Sequence, residues 1–525
     1  MDRKMLQHLF SLYKFLFKLL CYPQRHNLKS KSLKYMRYES MADKHTPEEL
    51  LNTTLVFEVE GGLLRSNSLF PYFMLVAFEG GGLLRGLVLF LFYPLVCLVS
   101  KERGLKIMVF ICFFGIKKDN FRIGRTVLPK FFMEDLGFEG FEVVRRCGRK
   151  VGVSELPRVM VEGFLKDYLD VDCVFGKDLK VVCGYFVGMM EDETTRTSFL
   201  MNDVFGDMKS DCHLIGFGTS NKILDRQLFS LCKEFYLASK ADKRRWRALP
   251  RDKYPKPLIF HDGRIAFMPT YLDTLPMIVW FPFGLGVGIL RIIITISFPY
   301  TIAIPILCFT GMSGRRHTRS FAKNKLRASS TNQNKRKGTL YVCNHRTLLD
   351  PIYISIAIMK PVTALTYSVS PLSELLSPIK TFHLSRNKEK DYKIMETLLN
   401  QNHDVVVCPE GTTCREPYVL RFSPLFAEIS NDFIPVALDA KVSMFYGTTA
   451  GGFKFLDPLF FVLNPTAIYH VKILENLPDT NIVEQTRIEI ANRVQKQIAE
   501  ALGFECTNLT RRDKYMVLAG NEGVV

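Results

Sequence analysis

Residues 339–351, TLYVCNHRTLLDP, decide how the second half of this chain folds. TLYVCN has the length and apolar character of a short buried strand, and His345 follows just past its end. Asp350 stands five positions after His345, which on a single helix would set the two side chains about 140° apart. A turn must therefore intervene if they are to touch. Strand, loop and a helix opening at Pro351 supply it, with Asp350 as N-cap and Pro351 in the first helical position. Such a unit belongs to an α/β domain.

The chemistry of the pair is that of a base. A histidine has a pKa suited to taking a hydroxyl proton, and a carboxylate on its other nitrogen fixes the tautomer and stabilises the imidazolium. An isolated His and Asp at this spacing is more often a loop residue and a helix cap. Three further blocks lie downstream. DVVVCPEGTTCREP (404–417) is an apolar strand running into a turn, where Gly411 and Thr412 expose backbone N–H groups able to hold a phosphate or an oxyanion. Glu410 adds an acceptor there and Arg415 a cation. SPIKTFHLSRNK (377–388) places Arg386 after an alternating strand, and FIPVALDA (433–440) is another apolar strand.

Working towards the N-terminus, residues 313–337 read as a flexible basic linker, with nine Lys/Arg and no acid from Arg315 to Lys337. From Leu275 to Met312 the only formal charge is Arg291. Two helices, roughly 275–290 and 292–311, follow from that pattern, and a membrane hairpin is expected over 270–312. Basic flanks on both sides put its two ends, and the 338–525 domain after it, in the cytosol. Further back, LNTTLVFEVEGGLLRSNS (51–68) reads as a buried strand ending in a tight turn. The apolar stretch 69–99 is interrupted by Glu79, three glycines and Arg85, so each half is short for a span. A hairpin dipping into one leaflet and a buried core hairpin both fit an insertion at 69–116. The rest of 46–250 has ordinary α/β composition, with strands at KVGVS (150–154) and HLIGFG (213–218). The basic leader 1–45 lacks a small-residue cleavage site, which leaves a transit peptide and an interfacial helix as readings.

The bulk properties agree with a chain that meets lipid. At 525 residues the chain holds more than one core. Its net charge of +18 favours anionic partners, while 42 Phe and long apolar runs argue for lipid and against nucleic acid. The 13 Cys are odd in number and form no CxxC, the pattern of reduced cytosolic thiols and not of a metal cluster.

Together and in this order, NHRTLLD, the Arg386 block, PEGT and IPV resemble the glycerolipid acyltransferase family. More narrowly, FEVEGGLLRSNSLFPYF, VLPKFF, SELPRVM, YPKPLIFHDGR, CNHRTLLDP, CPEGTTCREPYVLRFSPLF and ALGFECTNLTRRDKY look like the land-plant glycerol-3-phosphate acyltransferases, associated with cutin and suberin synthesis and with the sn-2 hydroxyl. The fold this implies is an N-terminal haloacid-dehalogenase-like α/β domain, membrane helical hairpins and a C-terminal α/β acyltransferase domain. The resemblance implies His345 as base and Asp350 as its partner. It also implies Arg386 and Arg415 as acceptor-phosphate ligands, and Glu410, Gly411 and Thr412 in acceptor binding. Arg386 is the firmer transfer, since many members carry Arg after PEGT where this chain has Thr413. The substrates would be glycerol-3-phosphate and an acyl-CoA or acyl-carrier protein, the product lysophosphatidic acid, with no cofactor. The address would be the endoplasmic reticulum, or alternatively the mitochondrion. A lysophosphatidate acyltransferase is the nearest rival, ahead of a bifunctional phosphatase and a silent membrane scaffold.

The front half departs from the phosphatases it is similar to. Their two nucleophile-turn aspartates are Glu58 and Glu60 here, and the metal-binding segment reads GFGTSN (216–221) without a carboxylate. Each glutamate moves its carboxylate by over ~1 Å, which in-line phosphoryl attack tolerates poorly. A retained fold without phosphatase activity is expected, with Ser154 available for the phosphate-hydroxyl role.

Overall fold

A computed structural model describes residues 34–191, 213–219, 232–318, 337–367, 371–385, 387–430, 432–476 and 486–523. Arg386 and most of the leader and of the basic linker lie outside these residues. The chain divides into two compact units, Met1–Lys256 and Pro257–Val525.

The first unit is built on strands β1 (Lys34–Arg37), β2 (Thr54–Glu58), β3 (Arg149–Pro157), β4 (Cys173–Lys177), β5 (Leu179–Val182), β6 (Tyr185–Met190), β7 (Leu214–Gly218) and β8 (Glu234–Leu237). Six of them form a sheet in the order β1-β8-β7-β2-β3-β4, with every pairing parallel, while β5 and β6 make a separate hairpin. β2 is buried along its whole length, as its unbroken apolar run demands of a central parallel strand. Past β2 the chain makes one wide helical turn, Val59–Leu63, and then enters the apolar helix Phe70–Leu98.

That helix is broken at Gly82, whose φ of 72° and ψ of −173° only glycine adopts without strain. The two halves behave differently. Residues Phe70 to Phe78 are buried, whereas Leu84, Leu91, Phe92, Leu95 and Leu98 beyond the break are exposed. The second half runs against Lys101–Phe113, and Arg85 closes that hairpin by donating to the Cys112 and Phe114 carbonyls at 2.7 and 2.9 Å. The first half is thus a buried core helix, and the second presents an exposed apolar face.

The second unit holds β9 (Met312–Thr318), β10 (Leu340–Cys343), β11 (Thr363–Thr366), β12 (Lys380–His383), β13 (Val405–Val407), β14 (Tyr418–Val419), β15 (Phe433–Val442), β16 (Ala467–Ile473) and β17 (Glu505–Cys506). Its main sheet has the order β12-β11-β13-β10-β15-β16-β9, parallel except where β16 turns back against β15. Leu340 and Val342 face one apolar layer with Met395, Leu398, Phe433 and Ile490. Tyr341 and Cys343 face the other with Ile354, Val436 and Tyr469. Two covered faces make this a three-layer α/β domain.

Two boundaries differ from the sequence reading. The first of these two apolar helices runs unbroken from Tyr271 to Ser297 and the second is short, Tyr300–Phe309, so the break falls at Phe298 and not beside Arg291. Phe298 precedes Pro299 and is extended (φ −117°, ψ 147°), the conformation a following proline imposes. Arg291 stays inside the helix because its guanidinium is satisfied by the Val462 and Asn464 carbonyls at 2.5 and 2.7 Å and by Thr310. The second difference is at 312–318. The basic segment begins as edge strand β9, paired to β16, with the exposed Arg315 and Arg316 serving as the charges that edge strands carry. Tyr271–Ser297 is long and apolar enough to cross a membrane, and Phe70–Leu98 reaches such a length only across its break at Gly82.

Candidate active site

Strand register brings the NHRTLLD and PEGT blocks together. β10 and β13 are parallel neighbours with Val342 opposite Val407. Whatever follows their carboxyl ends must emerge side by side, the place where open α/β sheets carry their sites. His345 and Glu410 both lie there, and the His345 amide donates to Glu410 Oε1 at 3.1 Å. Asn344 secures the turn from the other side by bonding its amide both ways to the backbone of Leu438 on β15, at 2.9 and 2.7 Å.

Asp350 opens the helix Asp350–Ile358, one residue ahead of the expected start, and is fully buried. Its Oδ2 lies 2.7 Å from His345 Nδ1 and also accepts the Arg346 amide at 2.7 Å. Its Oδ1 accepts the Thr347 amide at 3.0 Å and the Tyr469 hydroxyl. Four donors on one carboxylate hold it in place and keep it an acceptor, so Nδ1 carries the ring proton and Nε2 is left with its lone pair. The Tyr469 ring is itself held by stacking on Tyr353, with centroids 3.9 Å apart.

Two cysteines border the base. Cys343 Sγ is 3.4 Å from Cys408 Sγ, and the ligand atoms of Cys408, His345 and Asp350 lie within 4.8 Å of one another. The hydrogen bond from Cys343, with His345 alongside, lowers the Cys408 thiol to about 6 against its burial. Burial disfavours the imidazolium of His345, but Cys408 and Asp350 outweigh it and raise the ring's pKa well above 6.5. Burial also pushes the Glu410 carboxyl up to about 8. Glu410 Oε2 has no hydrogen-bond partner among the described residues.

The PEGT turn is clamped by Arg346, which donates to the Cys414 and Glu416 carbonyls and to the Arg415 carbonyl, all at 2.7 Å. The Cys414 amide returns a bond to the His345 carbonyl at 2.8 Å. Gly411 takes φ 63°, and the space a side chain would fill there is open; Thr412 is buried. Lys514, from the C-terminal helix Arg511–Leu518, reaches the Thr413 carbonyl at 2.5 Å and its hydroxyl at 3.0 Å.

His345, Asp350, Glu410 and Gly411 are thus brought together. Arg415 has partners of its own instead. Its guanidinium bonds to Thr448, pairs with Asp262 at 3.5 Å and lies over the Tyr446 ring. Sequence reading passed over Arg346, Tyr469, Asn344, Cys408 and Lys514. Asn344, Arg346, Cys408 and Lys514 sit inside the quoted blocks, whereas Tyr469 arrives from a distant strand with no local signal.

In the first unit, Glu58 and Glu60 lie at the carboxyl end of β2. Glu58 accepts from the Thr219 amide and hydroxyl at 3.1 and 3.0 Å. Glu60 Oε1 accepts from the Ser154 hydroxyl and from the Glu155 and Leu156 amides at 2.5, 2.9 and 3.2 Å. Ser154 and the amide cradle beside it are therefore occupied by a carboxylate of the same chain.

Residues 54–238 match the protein-family model described as "Glycerol-3-phosphate acyltransferase RAM2-like, HAD-like domain", and 325–439 match the model "Acyltransferase". Among curated relatives, "Probable glycerol-3-phosphate acyltransferase 3" of Arabidopsis thaliana is 50% identical over 93% of this chain and 94% of its own length. Arabidopsis thaliana "Glycerol-3-phosphate acyltransferase 1" is 45% identical over 90% of this chain and 82% of its own length. "Glycerol-3-phosphate acyltransferase RAM2" of Petunia hybrida is 39% identical over 89% and 97%. With a haloacid-dehalogenase-like domain ahead of an acyltransferase domain, and that likeness along nearly its whole length, this chain belongs to the glycerol-3-phosphate acyltransferase family.

Proposed function

We propose that the second unit moves a fatty acyl group from a thioester, acyl-CoA or acyl-carrier protein, to a hydroxyl of glycerol-3-phosphate, giving lysophosphatidic acid for glycerolipid or for cutin- and suberin-type polyester synthesis. His345 Nε2 takes the proton as the acceptor oxygen attacks the thioester carbonyl. Asp350 holds the ring's tautomer and stabilises the imidazolium as it forms. Turn amides near Gly411 stabilise the oxyanion, and collapse of the tetrahedral intermediate expels the thiolate, which collects the proton from His345. Neither a metal nor a covalent acyl-enzyme enters this scheme.

The observation that carries the reading is the 2.7 Å contact of His345 Nδ1 with a fully buried Asp350 that three other donors fix in place. The open space over Gly411 gives the acceptor room, and Glu410 Oε2 is the atom suited to meet one of its hydroxyls. Arg386 is the candidate phosphate ligand, since the Arg415 guanidinium is engaged by Asp262 and Thr448, and the sn-2 hydroxyl is the preferred target.

The enzyme acts at a membrane, on the cytosolic face of the endoplasmic reticulum in this reading. The support is the pair of apolar helices and the exposed Val279, Phe283, Ile289 and Ile293 along the second of them. The front domain leaves the product's phosphate in place, because the Glu60 carboxylate sits on Ser154 and the two amides that a substrate phosphate would use.

The test is an assay of membranes bearing the full chain, with glycerol-3-phosphate or lysophosphatidate as acceptor and a panel of acyl thioesters as donors. Transfer to glycerol-3-phosphate that disappears in His345→Ala supports the reading; wild-type rates in that variant sink it.

A further inference from the structure

We propose that Lys514 is a positioning residue of the acyltransferase, holding the loop of the base through a single peptide of the PEGT turn. That peptide joins Thr413 to Cys414 and is gripped at both ends. Its carbonyl accepts from Lys514 Nζ at 2.5 Å, and its N–H, carried by Cys414, donates to the His345 carbonyl at 2.8 Å. Hydrogen bonds linked in this way polarise and strengthen one another. The Thr413 hydroxyl accepts a second bond from the same ammonium at 3.0 Å. Lys514 thus reaches the base from the far end of the chain without touching the reacting atoms.

The helix that brings the ammonium there is seated by other residues. Asp513 caps Arg511–Leu518 by accepting from the Thr510 amide and hydroxyl, both at 2.7 Å. Leu518, one turn after Lys514 on the same face, packs with Phe260, Cys414 and Ala450. An apolar side chain at 514 would extend that seat. Lys514 is instead a cation only 7% exposed, and burying a charge is costly unless it is paired. Among the described residues both of its bonds go to Thr413, and no carboxylate lies within ion-pair distance. The charge is therefore directed at the turn, where a charge-assisted bond is roughly twice as strong as a neutral one. Burial and Arg415 lower the Lys514 ammonium from 10.5 to about 8, against Cys414, Asp262 and Asp457, the other charged and titratable groups that act on it. Above that pH the bond to Thr413 becomes neutral and weaker. The rate then gains a descending limb, opposite in sense to the rise that His345 sets. The inference rests on the reading of His345 as the base.

The test compares the full chain in membranes with Lys514→Met and Lys514→Arg, following kcat, the KM for glycerol-3-phosphate and the pH profile of each. Methionine keeps the length without the charge or the donors, and kcat should fall about 10-fold with KM changed by less than about threefold. Arginine stays charged at every working pH, so it should recover most of the rate and lose the descending limb. A limb that persists unchanged in Lys514→Arg, an arginine variant as poor as the methionine one, or wild-type kcat in Lys514→Met overturns the inference. So does a lower melting temperature with the turnover of the folded fraction unaltered, the mark of a merely structural anchor. A selective rise in KM also overturns it, by making Lys514 an acceptor ligand. Should Lys514→Met fail to fold, the pH profiles of wild type and Lys514→Arg decide alone. Wild-type rates in His345→Ala would defeat the base reading itself, whereas a dead His345→Ala beside an unimpaired Lys514→Met defeats only the placement of Lys514.

Discussion

The His345 amide donates to Glu410 Oε1 at 3.1 Å, and the two residues are each the third beyond the register pair Val342 and Val407 on neighbouring parallel strands. The two active-site loops are thus aligned by β-sheet pairing, and the hydrogen bond locks the alignment at the point where the base begins.

Glu410→Ala removes the acceptor and leaves the His345 N–H without its partner, a loss of about 1–3 kcal/mol. We expect kcat/KM to fall roughly 10- to 100-fold, given ~1.4 kcal/mol per tenfold. Glu410→Gln keeps a carbonyl oxygen for that N–H and should lose less. Steady-state rates of the two variants side by side check this; a Gln variant as poor as Ala would move the role of Glu410 to its second oxygen.

Asp350→Asn preserves volume but presents an amide where Nδ1–H expects an acceptor, so the ring is pushed to the wrong tautomer. In hydrolase triads that change costs about 10⁴-fold in kcat, and a loss of that order is expected here with KM little altered. Tyr469→Phe removes a single donor from Asp350 Oδ1 and should cost about 1.5–3 kcal/mol of stability, with a milder loss of rate. Thermal unfolding of the solubilised protein, read against turnover, separates the two effects.

The part of this site that was legible in sequence is the part written in local pattern. A strand ending at Cys343 and a proline after Asp350 predict the turn that lets His345 reach its carboxylate, and the hydrogen bond is there. The same local logic failed at Arg291. A lone charge in an apolar run reads as a break, yet its guanidinium is buried against carbonyls contributed from more than 160 positions away. Edge strand β9 was missed for a related reason, since MSGRRHT has no apolar face of its own and becomes a strand only by pairing with β16. Tyr469 reaches the site through tertiary packing, which no spacing in the chain encodes, and Lys514, although inside a quoted block, meets Thr413 only by the same route.

The base should titrate high. His345 accepts a proton from the acceptor hydroxyl only when Nε2 is free, and against burial the neighbouring Cys408 and Asp350 raise its pKa well above 6.5. The rate therefore climbs with pH through a value above 6.5, not below it. Glu410, pushed up to about 8, and Arg346 on the turn are the other charged groups close by. Cys408→Ser removes the sulfur that is lowered to about 6, so the imidazolium loses an anionic neighbour and the acidic limb should move to lower pH. A pH profile of kcat/KM for both proteins decides; an unmoved limb would assign the shift to Asp350 alone.

Arg291 is a structural cation within the apolar helix Tyr271–Ser297. Arg291→Ala leaves the carbonyls of Val462, Asn464 and Thr310 without their donor in a buried position, and breaking such a buried arrangement typically costs about 3–5 kcal/mol. The variant should insert into membranes but unfold earlier after solubilisation. Arg291→Lys should rescue it only in part, because one ammonium cannot reproduce a fork that spans three carbonyls. Detergent melting curves of the three proteins test this.

Arg415 divides two roles that sequence alone runs together. As a phosphate ligand, its loss would raise the KM for glycerol-3-phosphate and leave the fold alone. Its observed partners, Asp262, Thr448 and Tyr446, instead tie the loop after PEGT to the segment around 262. Arg415→Ala strands the buried Asp262 carboxylate, although the amides of Ala450 and Gly451 still reach it at 3.1 and 2.8 Å. That leaves a destabilisation of about 3–5 kcal/mol at most, the range for breaking a buried pair. We expect a lower melting temperature with the acceptor KM of the surviving folded fraction changed by less than about threefold. Paired replacement with Asp262→Asn should recover part of the lost stability, since the uncompensated carboxylate goes with it. A large selective rise in KM at unchanged stability would return Arg415 to the phosphate.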